Sequence, residues 1–381
     1  ARADSELEVT IVMGAPNHVA LGLISEVYVH CKDSYEKMSK EEAAENPIGS
    51  GAYEPAKWDK GNQIVMKKAK GSAVSANFEN LIWRVIPEAS TRTAELIAGN
   101  VDMITNASPD QVDAIDASNS AKVQKVSGTR RMYVGFHQGE EYAVTEGGAA
   151  IQKAEVRRAI QYAVDVEAIC ANLLNAPCER ATGLVNPNNA HPTLKPYPYN
   201  PEIAEYLLDQ AGYPRDGNGV RFEITLEAGQ GRYLNDKNVV LAICQYLDDI
   251  GIKTTCDIMD WSSVYVPKIR KKEAGPMFFL GSGGGTWNPL YDMSDLATVE
   301  SGPNYTKWTN EEWFKGWKVI NNSMDPYVIR REIDRMLEVF YNEGPWLLLY
   351  FQPDFYGVSN RVKWQERRDE EVDIFDASLA N

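Results

Sequence analysis

The fold is decided between Val220 and Ile258. Val220-Arg-Phe-Glu-Ile-Thr-Leu226 reads as a strand, followed by a helix with Val240, Ile243, Cys244 and Leu247 on one stripe. The chain then turns at Gly251 into Ile252-Lys-Thr-Thr-Cys-Asp-Ile258, a second strand. A period of two that gives way to a period near 3.6 and returns to two is the mark of strand, helix and strand. The pattern continues on both sides. Toward the C-terminus come a strand at 276–281, a long helix opened by Asp325-Pro326 with Ile329, Ile333, Met336, Leu337 and Phe340 inward, and a buried strand at 346–351. Toward the N-terminus, Val156, Ala159, Ile160 and Ala163 form a helical stripe, a second helix runs through Cys170, and Asn200-Pro201 starts a third that ends at Ala211-Gly212. Strands alternating with helices of this length predict an α/β lobe.

Before residue 150 the elements are shorter and more mixed. Leu7, Val9, Ile11 and Met13 alternate as a strand, and residues 17–28 read as a helix. Strands at 53–58 and 63–67 are joined by Asp59-Lys60-Gly61-Asn62, a hairpin signal. A strand at 81–86 leads into a helix capped near Ser90 and stopped by Gly99-Asn100. A short strand at 101–104 precedes Ser108-Pro109-Asp110-Gln111, where Ser at the cap, Pro in the first turn and Gln three residues on open another helix.

Composition excludes more than it identifies. The 381 residues carry a formal charge of −15, the reverse of the basic footprint that nucleic acid requires. No apolar run approaches the eighteen or so residues of a membrane span; the longest, Trp346-Leu-Leu-Leu-Tyr-Phe351, has the length of a strand. Ala1-Arg-Ala-Asp-Ser5 lacks the apolar core of an export signal. None of the five cysteines forms a C-x-x-C pair, which leaves zinc and thioredoxin-like readings without support. Cys244 and Cys256 point into one core, either as a disulfide or as two buried thiols, the commoner state of interior cysteine. Cys170 and Cys178 bracket a helix end and can close a small loop, and Cys31 is left over.

Catalytic signatures are missing. The four histidines (His18, His30, His137, His191) form no H-E-x-x-H pair, and no G-x-S-x-G elbow or dinucleotide fingerprint occurs. The expectation is a protein that is not an enzyme and uses no cofactor. Paired carboxylates among the 54 acidic residues keep a hydrolase as the alternative.

Five stretches, in order, carry a resemblance. They are Asn46-Pro-Ile-Gly-Ser-Gly-Ala-Tyr53 with Trp58; Val85-Ile-Pro-Glu-Ala-Ser-Thr-Arg92 through Glu95-Leu-Ile-Ala-Gly-Asn-Val-Asp102; Val156-Arg-Arg-Ala-Ile-Gln-Tyr-Ala-Val-Asp165; Tyr199-Asn-Pro201 through Leu207-Leu-Asp-Gln-Ala-Gly-Tyr213; and Gly344-Pro-Trp-Leu-Leu-Leu-Tyr350. Together they resemble the extracellular solute-binding proteins of bacterial ABC importers, of the oligopeptide/dipeptide/nickel type. The resemblance implies an α/β, periplasmic-binding-protein-like clamp of two lobes. One lobe would be 1–136 with 352–381, and the other 137–351, with hinge strands near 135–138 and 350–352. Family members carry a long N-terminal stretch ahead of the point where this chain starts, so the first lobe is expected to be incomplete. The resemblance further implies a monomer that is periplasmic or tethered at the cell surface, and a membrane permease as partner. The solute would be a peptide, with oligosaccharide or metallophore as alternatives. A chaperone or signalling role would use the same clamp, and nickel binding is disfavoured by the scarcity of histidine.

Ligands of open α/β sheets gather at the carboxyl ends of the strands. Three loops fall there: one with Gln230, Arg232 and Tyr233, one with Trp261, and Gly281-Ser-Gly-Gly-Gly-Thr-Trp-Asn-Pro289. In the last, the consecutive Gly283, Gly284 and Gly285 let backbone approach a ligand, Thr286 stands beside them in the candidate set, Trp287 offers a flat face, and Asn288 donates and accepts. A flexible turn with a core tryptophan is the plainer reading. Peptide-binding relatives carry carboxylates in this loop, one of which pairs with the peptide's α-amino group. Aligned on Pro289, those positions are Gly285 and Asn288, so an ordinary peptide with a free amino terminus is not the expected ligand. Arg130, Arg131, Tyr133 and His137 flank the first hinge strand, where an arginine can clamp a carboxylate or the two arginines can form a solvated pair. Tyr305 and Trp308 complete the candidate set as further aromatic faces.

Overall fold

The computed structural model describes residues 1–381 apart from Ala15, Glu26, Pro177, Gly284, Gly285, Thr286 and Asn381. The chain divides into two compact units, residues 1–24 with 129–352 and residues 25–128 with 353–381.

The larger unit is built on the segment that decided the fold. Phe222–Gln230 and Ile252–Asp260 pair in parallel over nine residues, from Phe222↔Ile252 to Gln230↔Asp260. The crossover helix Asp236–Asp249 turns Val239, Val240, Ile243, Cys244 and Leu247 inward. Met277–Ser282 joins the other side of Phe222–Gln230 in parallel. It pairs antiparallel with the chain around Met132, in the register Met277↔Phe136 to Ser282↔Arg131. The strand Trp346–Ser359 lies next in the sheet. Parallel strands joined by helices are covered on both faces, which is why Phe278, Phe279, Leu348 and Leu349 are all buried.

Two details differ from the cysteine expectation and from the reading of the long strands. Cys244 and Cys256 are disulfide-bonded rather than two buried thiols, with Cα atoms 6.4 Å apart, and Cys170 is bonded to Cys178 with Cα atoms 5.7 Å apart. Both separations suit a bridge. Cys31 is free and exposed. Of the strand Ala121–Phe136 only the end near 135–138 is expected, as a hinge strand, and Trp346–Ser359 runs eight residues past Phe351. The long helix Pro326–Glu343 forms where expected. The Asp325 carboxylate accepts from the Tyr327 amide at 2.9 Å, and Gly344 ends the helix at φ +55°.

The smaller unit holds an antiparallel sheet of Tyr53–Asp59, Gln63–Lys68 and Asn80–Arg84, with the helix Ala89–Ile97 following. Met103–Ile104 pairs with Val358 and Gly357. Near the N-terminus the expected strand shrinks to Val9–Thr10, paired with Arg2–Ala3, and the expected helix to Ala20–Ser25. Leu7, Val12 and Leu21 stay exposed there, so the apolar pattern has no core to extend these elements.

Candidate functional site

The three loops at the carboxyl ends of the parallel strands each have a distinct support. After Phe222–Gln230 the chain turns through Gly231, at φ +94°, and a single carboxylate organises the turn from Gly231 to Tyr233. Asp236 Oδ2 accepts from the amides of Gly231, Arg232 and Tyr233 at 2.9, 3.0 and 3.0 Å. Asp236 also opens the next helix, where an acid in the first turn is favoured by the helix dipole. Leu234 donates its amide to Gln352 Oε1 at 3.0 Å.

That turn presents Tyr233. Its hydroxyl accepts from the Gly281 amide at 3.0 Å, which ties the first loop to the strand beneath the third. A Cβ on Gly281 would lie 2.8 Å from both Tyr233 Cε1 and Met132 Sδ, so only glycine lets the ring approach this closely. The Arg130 and Arg232 guanidiniums lie 5.9 and 5.4 Å from the centre of the Tyr233 ring. Trp261 meets the same ring edge-on at 5.2 Å. These separations fall within the range of cation–π and aromatic pairing. Three of the expected residues, Arg130, Arg232 and Trp261, thus converge on one aromatic ring, that of Tyr233.

Trp261 begins a short π-helical turn, Trp261–Tyr265, capped by Asp260, whose Oδ1 accepts from the Ser263 amide at 2.8 Å. Gly229 provides the space: a Cβ there would stand 2.7 Å from both Trp261 and Tyr265.

In the third loop, Gly284, Gly285 and Thr286 lie outside the described residues. Trp287 is 43% exposed, and its carbonyl accepts from Asn189 Nδ2 at 2.9 Å. Asn288 is the cap of the helix Pro289–Ser294: Oδ1 accepts from the Leu290 amide at 3.0 Å and Nδ2 donates to the His18 carbonyl at 3.1 Å. Its amide therefore serves the fold at both ends.

The remaining expected residues lie in or against the core. Tyr133 is buried and stacked on Trp346, with ring centres 3.9 Å apart. Trp308 is 1% exposed and packs against Trp313 and Phe340, a core position rather than a loop surface. Tyr305 is half-buried and packs on the same core. His137 is fully buried, and its Nδ1 accepts from the Gly139 amide at 3.1 Å. Burial pushes its imidazole down to about 4, outweighing the attraction of Glu141. It is therefore neutral at ordinary pH and is not brought to the three loops.

Sequence reasoning missed Asp236, Ser282, Asp292 and Asp295, all of which hold the loops. Arg131, expected with Arg130 either to clamp a carboxylate or to form a solvated pair, is instead 2% exposed and paired with Asp292 at 3.1 Å. Among the described residues no group of three or more His, Cys, Asp or Glu is placed to hold a metal ion. No described helix is long and apolar enough to cross a membrane.

Comparison with known proteins gives a consistent set of likenesses. Residues 1–303 match the model of the family described as bacterial extracellular solute-binding proteins, family 5 Middle. The oligopeptide-binding protein AppA of Bacillus subtilis (strain 168) is 22% identical over 338 residues, covering 85% of this chain and 60% of its own length. The glutathione-binding protein GsiB of Escherichia coli (strain K12) is 25% identical over 313 residues, covering 80% and 58%. The solved structure of the ABC transporter-associated periplasmic binding protein DppA from Helicobacter pylori, in complex with the peptide STSA, superposes with a TM-score of 0.77. It is 20% identical and covers 92% of this chain and 68% of that one, a likeness of fold. The chain spans about 60% of the length of the curated relatives it matches.

Proposed function

The chain belongs to the bacterial extracellular solute-binding proteins of family 5, and from that premise we propose that it is the solute-capturing component of an ABC importer. It holds a peptide-like or other small solute and delivers it to a membrane permease, without chemical change to the solute. The place of action is the periplasm or the outer face of the cell membrane. Capture by closure of two lobes, with the boundaries expected from the sequence, belongs to the same proposal.

The observation that carries the reading is the cluster around Tyr233. Two guanidiniums and an indole surround one ring at the carboxyl ends of three strands, where open α/β sheets bind their ligands. Such a cluster suits a solute with a carboxylate for Arg130 or Arg232 and an apolar or planar portion for Trp261. Relatives named for oligopeptide and glutathione binding support a peptide-like solute. The Asn288 amide is engaged in helix capping and carries no charge, which supports the expectation that a free α-amino group is not the anchor.

Thermal-shift and calorimetric titration with a small peptide panel tests this. Each peptide is offered as the free form, with an acetylated amino terminus, and with an amidated carboxyl terminus. The proposal requires that amidation weaken binding more than acetylation does. Tight binding that depends on the free amino terminus would refute the anchor assignment.

A further inference from the structure

Beneath the proposed site lies an ionic cluster in which Arg131, Asn186 and Asp292 are buried and Ser282 and Asp295 are partly buried. Arg131 Nη2 donates to Ser282 Oγ at 3.2 Å, at the end of Met277–Ser282, and to Asp292 Oδ1 at 3.1 Å in the helix Pro289–Ser294. Its Nη1 donates to Asn186 Oδ1 at 3.2 Å, and the Asn186 amide donates to Asp292 Oδ2 at 3.3 Å. The Ser282 hydroxyl passes the chain of bonds on, donating to Asp295 Oδ2 at 3.0 Å. One guanidinium therefore joins the point where the strand ends to the point where the helix begins. The fork of an arginine suits this double duty, since its donors are fixed in one plane and a point charge has no such geometry.

We infer that Arg131 is the positioning residue of the proposed site, setting the separation between strand end and helix start and so the placement of Gly283, Trp287 and Asn288. The purpose of that positioning rests on the solute-binding reading, but the bonds themselves do not. Arg131 is too deeply buried to touch a solute, and it acts through Ser282 and Asp292.

The cluster also carries a dependence on pH. The charged and titratable groups facing Asp295 are Arg131 and Tyr133 on the strand Ala121–Phe136, Asp292 on the helix, and Tyr305 on the segment after it. Burial raises the Asp295 carboxyl to about 6, against the attraction of Arg131 and the bond from Ser282, with Asp292 adding to the rise. One cation faces two carboxylates, so ionising Asp295 adds an uncompensated charge to a desolvated place. A carboxyl whose pKa is raised in the closed arrangement favours that arrangement at low pH. The advantage is lost as pH climbs from the ordinary carboxylate range through about 6.

Hydrogen exchange of the whole chain between pH 4.5 and 8, corrected for intrinsic rates, reads both statements without any ligand. In the parent, as pH rises from 4.5 to 6, protection of the amides of Asn186 and of Leu290 to Met293 falls by up to about tenfold per pH unit, and it levels off above pH 6. Arg131→Met lowers protection of those amides by about tenfold or more, leaving Phe222–Gln230 as in the parent, and Arg131→Lys restores part of the loss. Asp295→Asn removes the pH-dependent fall. Parent-like protection in Arg131→Met, or an unchanged pH profile in Asp295→Asn, overturns the inference. Should Arg131→Met fail to fold, Ser282→Ala keeps the guanidinium and the Asp292 pair, and must still loosen Leu290 to Met293. Failure to bind any solute would refute the proposed function and leave the exchange result standing.

Discussion

Replacing Asp236 by alanine removes an acceptor shared by three amides of the Tyr233 turn. Three amides bond to Asp236 Oδ2, and their fates differ once it is gone. Gly231 is exposed and its amide recovers water, Arg232 is half-buried, and Tyr233 is buried, so its amide recovers none. Taking about 2 kcal/mol for the stranded Tyr233 donor, about 1 for Arg232 and about 0.5 for the lost acid at the helix start gives a destabilisation of about 3.5 kcal/mol. With a urea m-value of about 3 kcal/mol/M, near the upper end for single domains, the midpoint falls by about 1 M. Tryptophan fluorescence follows it, since Trp261 lies against the Tyr233 ring. Asp236→Asn keeps an oxygen acceptor and should lose about half as much. A midpoint for Asp236→Ala within about 0.2 M of the parent would show that the three amides do not depend on this carboxylate and would refute the account of the turn.

Other perturbations test the same structure. Reduction of Cys244–Cys256, which are 12 residues apart, should destabilise the larger unit by about 3 kcal/mol on the loop-entropy relation, and reduction of Cys170–Cys178, 8 apart, by slightly less. Paired urea titrations with and without reductant measure both, and coincident curves would contradict the bonds. Gly281→Ala forces Tyr233 or Met132 to move and should cost about 1–3 kcal/mol, with weakened solute binding; an unchanged melting temperature would show that the strand end has room. His137 is depressed to about 4 in the fold and titrates near 6.5 when unfolded. The unfolded chain therefore takes up the proton first, and His137's contribution to stability is full above pH 6.5 and lost as pH falls toward 4. His137→Gln should flatten that part of the acid limb in urea midpoints taken from pH 7 to 4.5, and an unaltered limb would contradict it.

The alternation of strands and helices in the larger unit was legible because each apolar stripe there faces a core, as with Val240, Ile243 and Leu247 on Asp236–Asp249. Most of Ala121–Phe136 was not, because Lys122, Gln124, Lys125, Arg130 and Arg131 interrupt its apolar pattern, and Arg131 enters the core as one half of an ion pair. Trp346–Ser359 reads as ending at Phe351 because Pro353 and Asp354 are poor strand residues, yet both are buried within it. The loops of the site could be placed because they come directly after strand ends, but their supports could not. Arg131 meets Ser282 and Asp292 across 151 and 161 residues of sequence, and no local spacing records such a meeting. His137 and Trp308 stand out as chemically distinctive side chains, and the structure uses both as core. At Asn288 a residue type suited to ligand contact also suits a helix cap, and its bonds are those of a cap.

The central claim is that the cluster around Tyr233 holds a small solute through Arg130 and Arg232. Native mass spectrometry of the purified chain, followed by denaturing extraction, tests it most directly. The account predicts a near-stoichiometric adduct that is released on unfolding, bears a carboxylate, and is absent from the Arg130→Ala/Arg232→Ala double variant. A chain that carries no adduct and gains none from the peptide panel, or one whose adduct survives both substitutions, would contradict it.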